Sequence, residues 1–301
     1  MLSINIPVYN IEVCDLVLHL AKQANALKLE FEIRVYDDGS EESIKKKNRG
    51  IDTIPQVIYL EMEQNLGRAR IRNKMGLDSQ KSYLLFIDAD SKIISEDYLK
   101  NYVEHVNIGK VFCGGTSYSN NNPANEKLLR WVYGHQREAI SAEVRNSQKG
   151  FIITSNNFLI EREIFNHIHF RENLVPYGHE DTLLGFDLFS AGIKPLHIDN
   201  PVEHTGLEDS EIFLTKTKTA LENLHLISEK VINNSPEFKS KIHFLKQYGK
   251  ITKIIPPLLM RWFFQFFRKA MEKNLTGKNP LLFLFDVYKL GYYASISKKK
   301  D

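Results

Sequence analysis

The sequence predicts an α/β fold, a mostly parallel sheet flanked by helices, with a C-terminal helical appendage. Three observations carry this. Over the first 115 residues, short apolar runs alternate with helical patterns, the order expected of crossover-connected parallel strands. One run, residues 83–87, is nearly all apolar, as a central strand buried on both faces must be. The charge also changes sign along the chain. Residues 1–210 hold 23 Lys and Arg against 30 Asp and Glu, whereas residues 211–301 hold 17 against 7. The chain therefore reads as an acidic α/β unit over 1–210 and a basic, aromatic-rich helical unit over 211–301 that meets different partners.

Residues 2–7 read as the first strand. Residues 13–27 follow as an amphipathic helix with Val13, Leu16, Val17, Leu20, Ala24 and Leu27 on one face. A second strand over 31–36 ends in Asp37-Asp38-Gly39-Ser40, and a third covers 57–60. Residues 68–77 are helical, 83–87 form the fourth strand, 97–106 a helix and 111–113 the fifth strand. Beyond a loop at 120–123, the pattern predicts a helix over 126–142, a short strand over 158–160 and a helix over 181–190 ended by Gly192. From Ser210 onward the pattern is helical, broken at Pro256-Pro257 and again near 277–280. There is no internal repeat, and low complexity is limited to small tags such as Lys298-Lys299-Lys300.

With 301 residues, 43% of them hydrophobic, the chain can bury a sizeable core. Its two cysteines, Cys14 and Cys113, make no disulfide framework and suit a reducing compartment. The N-terminus lacks a basic segment followed by an apolar one, which argues against a cleaved signal peptide. No run reaches about 18 apolar residues, the length a spanning helix needs. The expectation is a cytoplasmic protein.

In open parallel sheets, ligands bind beyond the carboxyl ends of the strands. Here those ends are polar: Pro7-Val8-Tyr9-Asn10, Asp37-Asp38-Gly39-Ser40 and Asp88-Ala89-Asp90. They would converge on one crevice. In an extended segment residues i and i+2 point the same way, so Asp88 and Asp90 would face one hard cation, Mg2+ or Mn2+. The plainer reading of such a triplet is a solvated acidic turn. Its position after five apolar residues favours the site.

The series Ile6-Pro7-Val8-Tyr9-Asn10, Asp37-Asp38-Gly39-Ser40, Asn65 to Asn73, Asp88-Ala89-Asp90 and Glu180-Asp181 resembles, in order and spacing, the family 2 glycosyltransferases of the GT-A (Rossmann-like) fold. The resemblance covers about residues 1–205. It implies a nucleotide-diphosphate sugar donor, with UDP the expected nucleotide, a divalent metal and inversion at the anomeric carbon. Pro7 and Tyr9, with Asn10 beside them, would line the nucleobase pocket. Asp38, and less firmly Asp37, would meet the base or ribose. Arg68, Arg72 and Asn73 would lie beside the nucleotide, Asp88 and Ala89 beside the ribose and sugar, and Asn156 and Asn157 near the donor sugar. Asp90 would hold the metal, with Asp88 and His204 completing its site. Asp181 is the implied base, and its neighbour Glu180 the competing one.

Each assignment has a structural alternative. Glu180 and Asp181 would also stabilise a helix N-terminus, and Trp131 and His135, spaced to stack on a sugar, would also serve as packing. Two departures from the family pattern stand out: Ile71 where many members have Ala, and Ser91 where many have a third Asp. The Gln-X-X-Arg-Trp motif of processive members is absent, since Lys127 precedes Arg130-Trp131 and Leu258 precedes Arg261-Trp262. A single addition to a glycan or lipid-linked acceptor is expected.

The basic segment 254–300 is rich in aromatics and would suit peripheral contact with the inner face of the cell membrane. No nucleic-acid recognition motif accompanies its charge. Three rival readings fit the sequence less well. A phosphatase with a nucleophilic Asp-X-Asp would open the domain with that motif. A nucleotidyltransferase would carry a Gly-rich basic loop after the first strand. A non-catalytic sugar-nucleotide-binding or membrane scaffold would not need Asp88, Asp90 and Asp181 together. Oligomeric state is not legible in the sequence.

Overall fold

In a computed structural model of the chain, which describes residues 1–148, 153–172 and 178–297, ten strands follow one another: β1 (Leu2–Val8), β2 (Phe31–Asp37), β3 (Val57–Glu61), β4 (Tyr83–Ile87), β5 (Ser91–Ile93), β6 (Val111–Cys113), β7 (Thr116–Ser117), β8 (Asn157–Glu161), β9 (Leu196–His197) and β10 (Val202–His204). Seven form the main sheet in the order β3-β2-β1-β4-β8-β6-β9. β1 pairs in parallel with β2 and β4, and β2 with β3. Leu2, Ile4, Ile6 and Val8 on one face of β1 are buried, and so are Ser3 and Asn5 on the other, as a strand covered on both faces requires.

The strands and helices expected over residues 2–113 are present, including a helix Tyr98–His105 ahead of β6, but the order in the sheet is not the order in the chain. β8 inserts between β4 and β6 and runs antiparallel to both, so β6 is not the next neighbour of β4. Phe86 of β4 stacks on Phe158 of β8 with centroids 5.0 Å apart, and Phe165 and Phe170 close around them. That aromatic contact fixes the insertion. A smaller sheet, β5-β10-β7, stands at the mouth of the main one.

The first helix spans Cys14–Ala26 and buries Leu16, Val17, Leu20 and Ala24, while Leu27 lies beyond its end. The helix expected over 126–142 is interrupted. An α-helical stretch Leu128–Tyr133 passes into a π turn, Gly134–Glu138, and a separate helix, Ala142–Ser147, begins at Ser141, whose hydroxyl accepts from Val144 N. Gly134 lies so close to the Tyr118 ring that an added Cβ would come within 2.4 Å of it. Helices Glu42–Asn48 and Arg162–His167 were not anticipated.

After residue 209 the chain is helical: Ser210–Leu226, Pro236–Lys241, His243–Ile251, Pro257–Leu275 and Leu282–Ile296. The break at Pro256-Pro257 is as expected, with Pro257 in the first helical turn, where its missing N–H costs nothing. These helices share cores with earlier segments. Leu129 packs with Leu214, Phe264, Phe285 and Tyr288, and Leu183 packs with Leu221, Leu224, Ile227 and Phe238. Among the described residues no helix is long and apolar enough to cross a membrane. Lys298, Lys299 and Lys300 lie outside the described residues.

Candidate active site

The ends of β1 and β2 are tied into one rim. Asn10 sits in the left-handed region (φ 55°), which Asn tolerates better than most residues. Its N–H donates to Ser40 Oγ at 2.7 Å, and its side-chain oxygen accepts from Glu41 N at 2.8 Å. Tyr9, 53% exposed, stands free on this rim beside half-buried Pro7. Asp37 is fully buried and accepts from Ser40 N and the Tyr59 hydroxyl. Asp38 is buried too, and its two oxygens accept from Leu66 N (2.6 Å) and Gly67 N (3.0 Å). Burial raises its pKa, and those two bonds oppose the rise. The acidic pair thus shapes the rim and fixes the loop that leads into the helix Arg68–Asp78.

That helix delivers Arg72 to the end of β4. Arg72 is buried, and its Nη2 donates to Asp88 Oδ1 at 2.5 Å. Its Nε has no partner among the described residues, an orphaned buried donor at the floor of the crevice. Arg68, one turn earlier, acts electrostatically on Asp90. Asn73 points the other way. It is buried and bridges to Phe170 through both side-chain groups, with Nδ2 also reaching Glu172.

Asp88 N donates to Asn156 O, and Asn156 Nδ2 reaches Thr116 Oγ1. Asn157 is fully buried. Its Oδ1 accepts from the Tyr98 and Tyr102 hydroxyls, and its Nδ2 donates to Gly115 O and Asn200 O. Every bonding position is used within the protein. Asp37, Asn73 and Asn157 therefore set the positions of loops and do not face the crevice. Ala89 is buried between the two acids.

Asp90 meets His204 because β10 pairs antiparallel with β5, which sets His204 opposite Ser91. His204 Nδ1 lies 3.5 Å from Asp90 Oδ2. Burial pushes the Asp90 pKa up, but the His204 hydrogen bond and the charges of His204 and Arg68 outweigh it and leave the carboxyl below its ordinary value. Gly206 closes over this pair: a Cβ there would fall 2.3 Å from Asp90 Oδ2. Thr205 N and Oγ1 both donate to Asp90 O at 2.8 Å. The sequence reading did not single out Gly206, though it follows the expected histidine by two residues.

The helix Glu180–Ser190 starts from Gly178 (φ 100°) and His179 (φ 73°), both left-handed. Glu180 folds back to accept from Gly178 N, while Asp181 Oδ1 accepts from Thr182 N at 2.7 Å. Asp181 is half-buried. Burial, and then the Glu180 charge, raise its pKa from 3.8 to about 6, against the Thr182 bond and the charge of Arg72. Its field is also felt at Cys113, the end of β6, and it feels the charge of Arg72. Asn223, on the helix Ser210–Leu226, donates to Gly178 O, and the neighbouring Ala220 touches the same turn. This brace was invisible in the sequence.

Trp131 Nε1 and His135 Nε2 both meet Ser119 O, and their rings cross at 4.5 Å. Tyr118 lies between His135 and His204, with both ring centroids 5.7 Å away.

Asp90 and His204 present an oxygen and a nitrogen side by side, while Asp88 is turned to Arg72. Among the described residues no group of three or more His, Cys, Asp or Glu side chains converges as a metal cage would. The pair fits a divalent ion that takes its remaining ligands from substrate phosphate and water, and does not fit an all-protein site.

Comparison with known proteins bears on the family and the fold. The family model "Glycosyl transferase family 2" matches residues 3–169. No curated protein matches the chain. Among solved structures, a mannosyltransferase, PcManGT from Pyrobaculum calidifontis in complex with GDP-Man and Mn2+, superposes with a TM-score of 0.60 at 15% identity, covering 100% of this chain and 88% of that one. S. aureus TarS 1–349 superposes with a TM-score of 0.52 at 17% identity, covering 100% and 93%. The same protein in complex with UDP-GlcNAc gives 0.52 at 16% identity over the same shares.

Proposed function

The chain belongs to glycosyl transferase family 2, and from its crevice we propose that it moves a sugar from a UDP-sugar to a hydroxyl of a glycan or lipid-linked acceptor, inverting the anomeric carbon. The observation that carries the reading is the Asp90–His204 pair, 3.5 Å apart at the carboxyl end of β4, with Asp181 across the Arg72 floor. The solved structures similar to this chain include complexes with UDP-GlcNAc and GDP-Man. The transferred group is accordingly a hexose or N-acetylhexosamine.

Tyr9 and Pro7 offer an apolar, accessible rim for the base. Arg72 holds Asp88 toward the ribose and sugar, and its orphaned Nε is a donor for a phosphate or sugar oxygen. Asp90 and His204 would hold a divalent ion, Mn2+ in preference to Mg2+ because one donor is imidazole nitrogen; when bound, it supplies positive charge to the leaving diphosphate. Asp181 takes the proton from the acceptor hydroxyl. As that oxygen bonds to the anomeric carbon, the bond from carbon to the diphosphate oxygen breaks on the opposite face, and its electron pair leaves with the nucleotide. A carboxyl with a pKa of about 6 is ionised at neutral pH and still basic enough to take a proton. Both adjacent acids accept a bond within their own turn; we take Asp181 as the base because the resemblance implies it and the Arg72 charge at the crevice floor acts on it.

Thermal shift with UDP, GDP, CDP and their sugar conjugates, with and without Mn2+, tests the donor site. A metal-dependent rise with uridine nucleotides, lost in Asp90→Ala, is expected. No rise with any nucleotide at saturating metal would sink the proposal in favour of a non-catalytic scaffold. Proton NMR of the first product then reads the anomeric configuration.

A further inference from the structure

The helix Pro257–Leu275 is apolar on two opposite sides. One side, Phe264, Met271 and Leu275, is buried in the core it shares with Leu129 and Leu214. At 100° per residue, Leu258, Leu259, Trp262, Phe263 and Phe266 fall on the opposite side, and all are exposed. Trp262 is 68% exposed and Phe266 82%. A helix that only caps a domain needs one apolar stripe, with polar residues opposite. Toward the C-terminal end of that side the stripe gives way to Lys269 and Lys273, while exposed Ile254 (84%) precedes the helix and Phe283 (75%) follows it. Among the described residues, half of the large exposed hydrophobic side chains fall within 254–283, so the patch is concentrated, unlike singly scattered surface residues.

The charge around the patch has one sign. Residues 243–285 contain eight Lys and Arg and a single acid, Glu272. Glu272 is already held by Arg268 and the Tyr288 hydroxyl. Lys250, Lys253, Lys269, Lys273 and Lys278 are exposed and have no ion-pair partner among the described residues. An apolar stripe rich in aromatics and bordered by unpaired lysines complements an interface of acyl chains and anionic headgroups. The helix is not apolar enough to cross a bilayer.

We propose that this outer face of Pro257–Leu275, with Ile254 and Phe283 at its ends, docks on an anionic lipid surface, lying in the plane of the headgroups. Trp262, Phe263 and Phe266 enter the acyl boundary, and the lysines meet lipid phosphates. The docking stands apart from the sugar-transfer reading, since none of these residues lines the crevice.

The test is flotation of the full chain with vesicles of phosphatidylcholine mixed with phosphatidylglycerol, against vesicles of phosphatidylcholine alone. Binding to the anionic vesicles, weakened by salt, is expected. Trp262→Ser/Phe266→Ser should weaken it at least about tenfold, and Lys269→Gln/Lys273→Gln about twenty-five-fold, at about fivefold for each lysine. Both pairs are exposed, so circular dichroism should be unchanged. Brominated lipids should quench Trp262 fluorescence, read in a Trp131→Phe background. No anionic-vesicle binding, or binding unaffected by Trp262→Ser/Phe266→Ser, overturns the proposal. So does a dimer in light scattering that Trp262→Ser/Phe266→Ser dissociates, which would make the face a contact between copies. Donor binding in the thermal-shift assay should be unchanged by all four substitutions, which separates failure here from failure of the catalytic reading.

Discussion

Replacing Asp181 with Asn should make the protein more stable and inactive, and the stability gain should depend on pH. The folded chain holds the Asp181 proton to about pH 6, whereas the ordinary value for the unfolded chain is 3.8. Between those values the folded state keeps a proton that the unfolded state has lost. Stability therefore falls as pH rises through this window, and the whole penalty is present above about pH 6. At about 1.4 kcal/mol for each pH unit, the penalty is about 1 kcal/mol at pH 4.5 and about 3 kcal/mol at pH 7.5. Asn cannot ionise, and its side-chain oxygen can still accept from Thr182 N, so Asp181→Asn escapes the penalty without losing that bond. Urea unfolding of both proteins at the two pH values reads the difference directly. Turnover should fall by about 10²–10⁴-fold, the usual contribution of a general base. An equal stability difference at both pH values, or a variant less stable at pH 7.5, would refute the burial argument. Turnover reduced less than about tenfold would refute the catalytic one.

Arg72→Met removes the ion pair that holds Asp88; since Asp88 is partly exposed, a loss of about 2 kcal/mol is expected by urea unfolding. Because the Arg72 charge lowers the Asp181 pKa, the acid limb of the kcat/KM profile should also move to higher pH. Gly206→Ala places a methyl against the Asp90 carboxylate and should abolish the Mn2+-dependent nucleotide shift while circular dichroism is unchanged. Asn223→Ala removes the donor to Gly178 O; kcat should fall about tenfold, on the scale of a misplaced reacting group, with donor affinity unchanged in calorimetry.

What could be read from the sequence was what local pattern controls. Strands β1 to β4 each had an apolar run followed by polar residues, and the parallel order follows from that alternation. Asp88 and Asp90 stood out because their chemistry is unusual after an apolar strand, and His204 through the family resemblance alone. What stayed hidden depends on pairing between distant segments. β8 carries no sign that it runs antiparallel between β4 and β6, because a short apolar strand reads the same in either direction. Asp37, Asn73 and Asn157 look like ligand contacts, since a polar residue in a loop is the same letter whether it faces substrate or binds its own chain. Only their partners, Ser40 N, Phe170 and the Tyr98 and Tyr102 hydroxyls, tell the two apart. Gly206 and Asn223 were passed over because a close approach and a brace leave no local pattern at all.

The division at residue 210, which the change of charge suggested, makes a claim about folding that the packing argues against. Charge reports what a surface faces, whereas folding follows the apolar contacts beneath it. Leu183, behind the Asp181 turn, is fully buried, and the residues that bury it include Leu221, Leu224 and Phe238. Leu129, in the helix before the π turn, is fully buried against Leu214 and Phe285. A chain ending at residue 209 would expose both, at about 1.5–3 kcal/mol for each side chain, and would also release Gly178 from Asn223. Together that is a large part of the 5–15 kcal/mol by which folded proteins usually exceed their unfolded state. A 1–209 fragment should therefore bind anilinonaphthalene sulfonate, unfold at low urea over a broad range and turn over no donor, even though every residue assigned to the crevice is present. A fragment that unfolds as cooperatively as the full chain, with its nucleotide shift intact, would show that the basic helices are an independent unit and that the Asp181 turn stands without them.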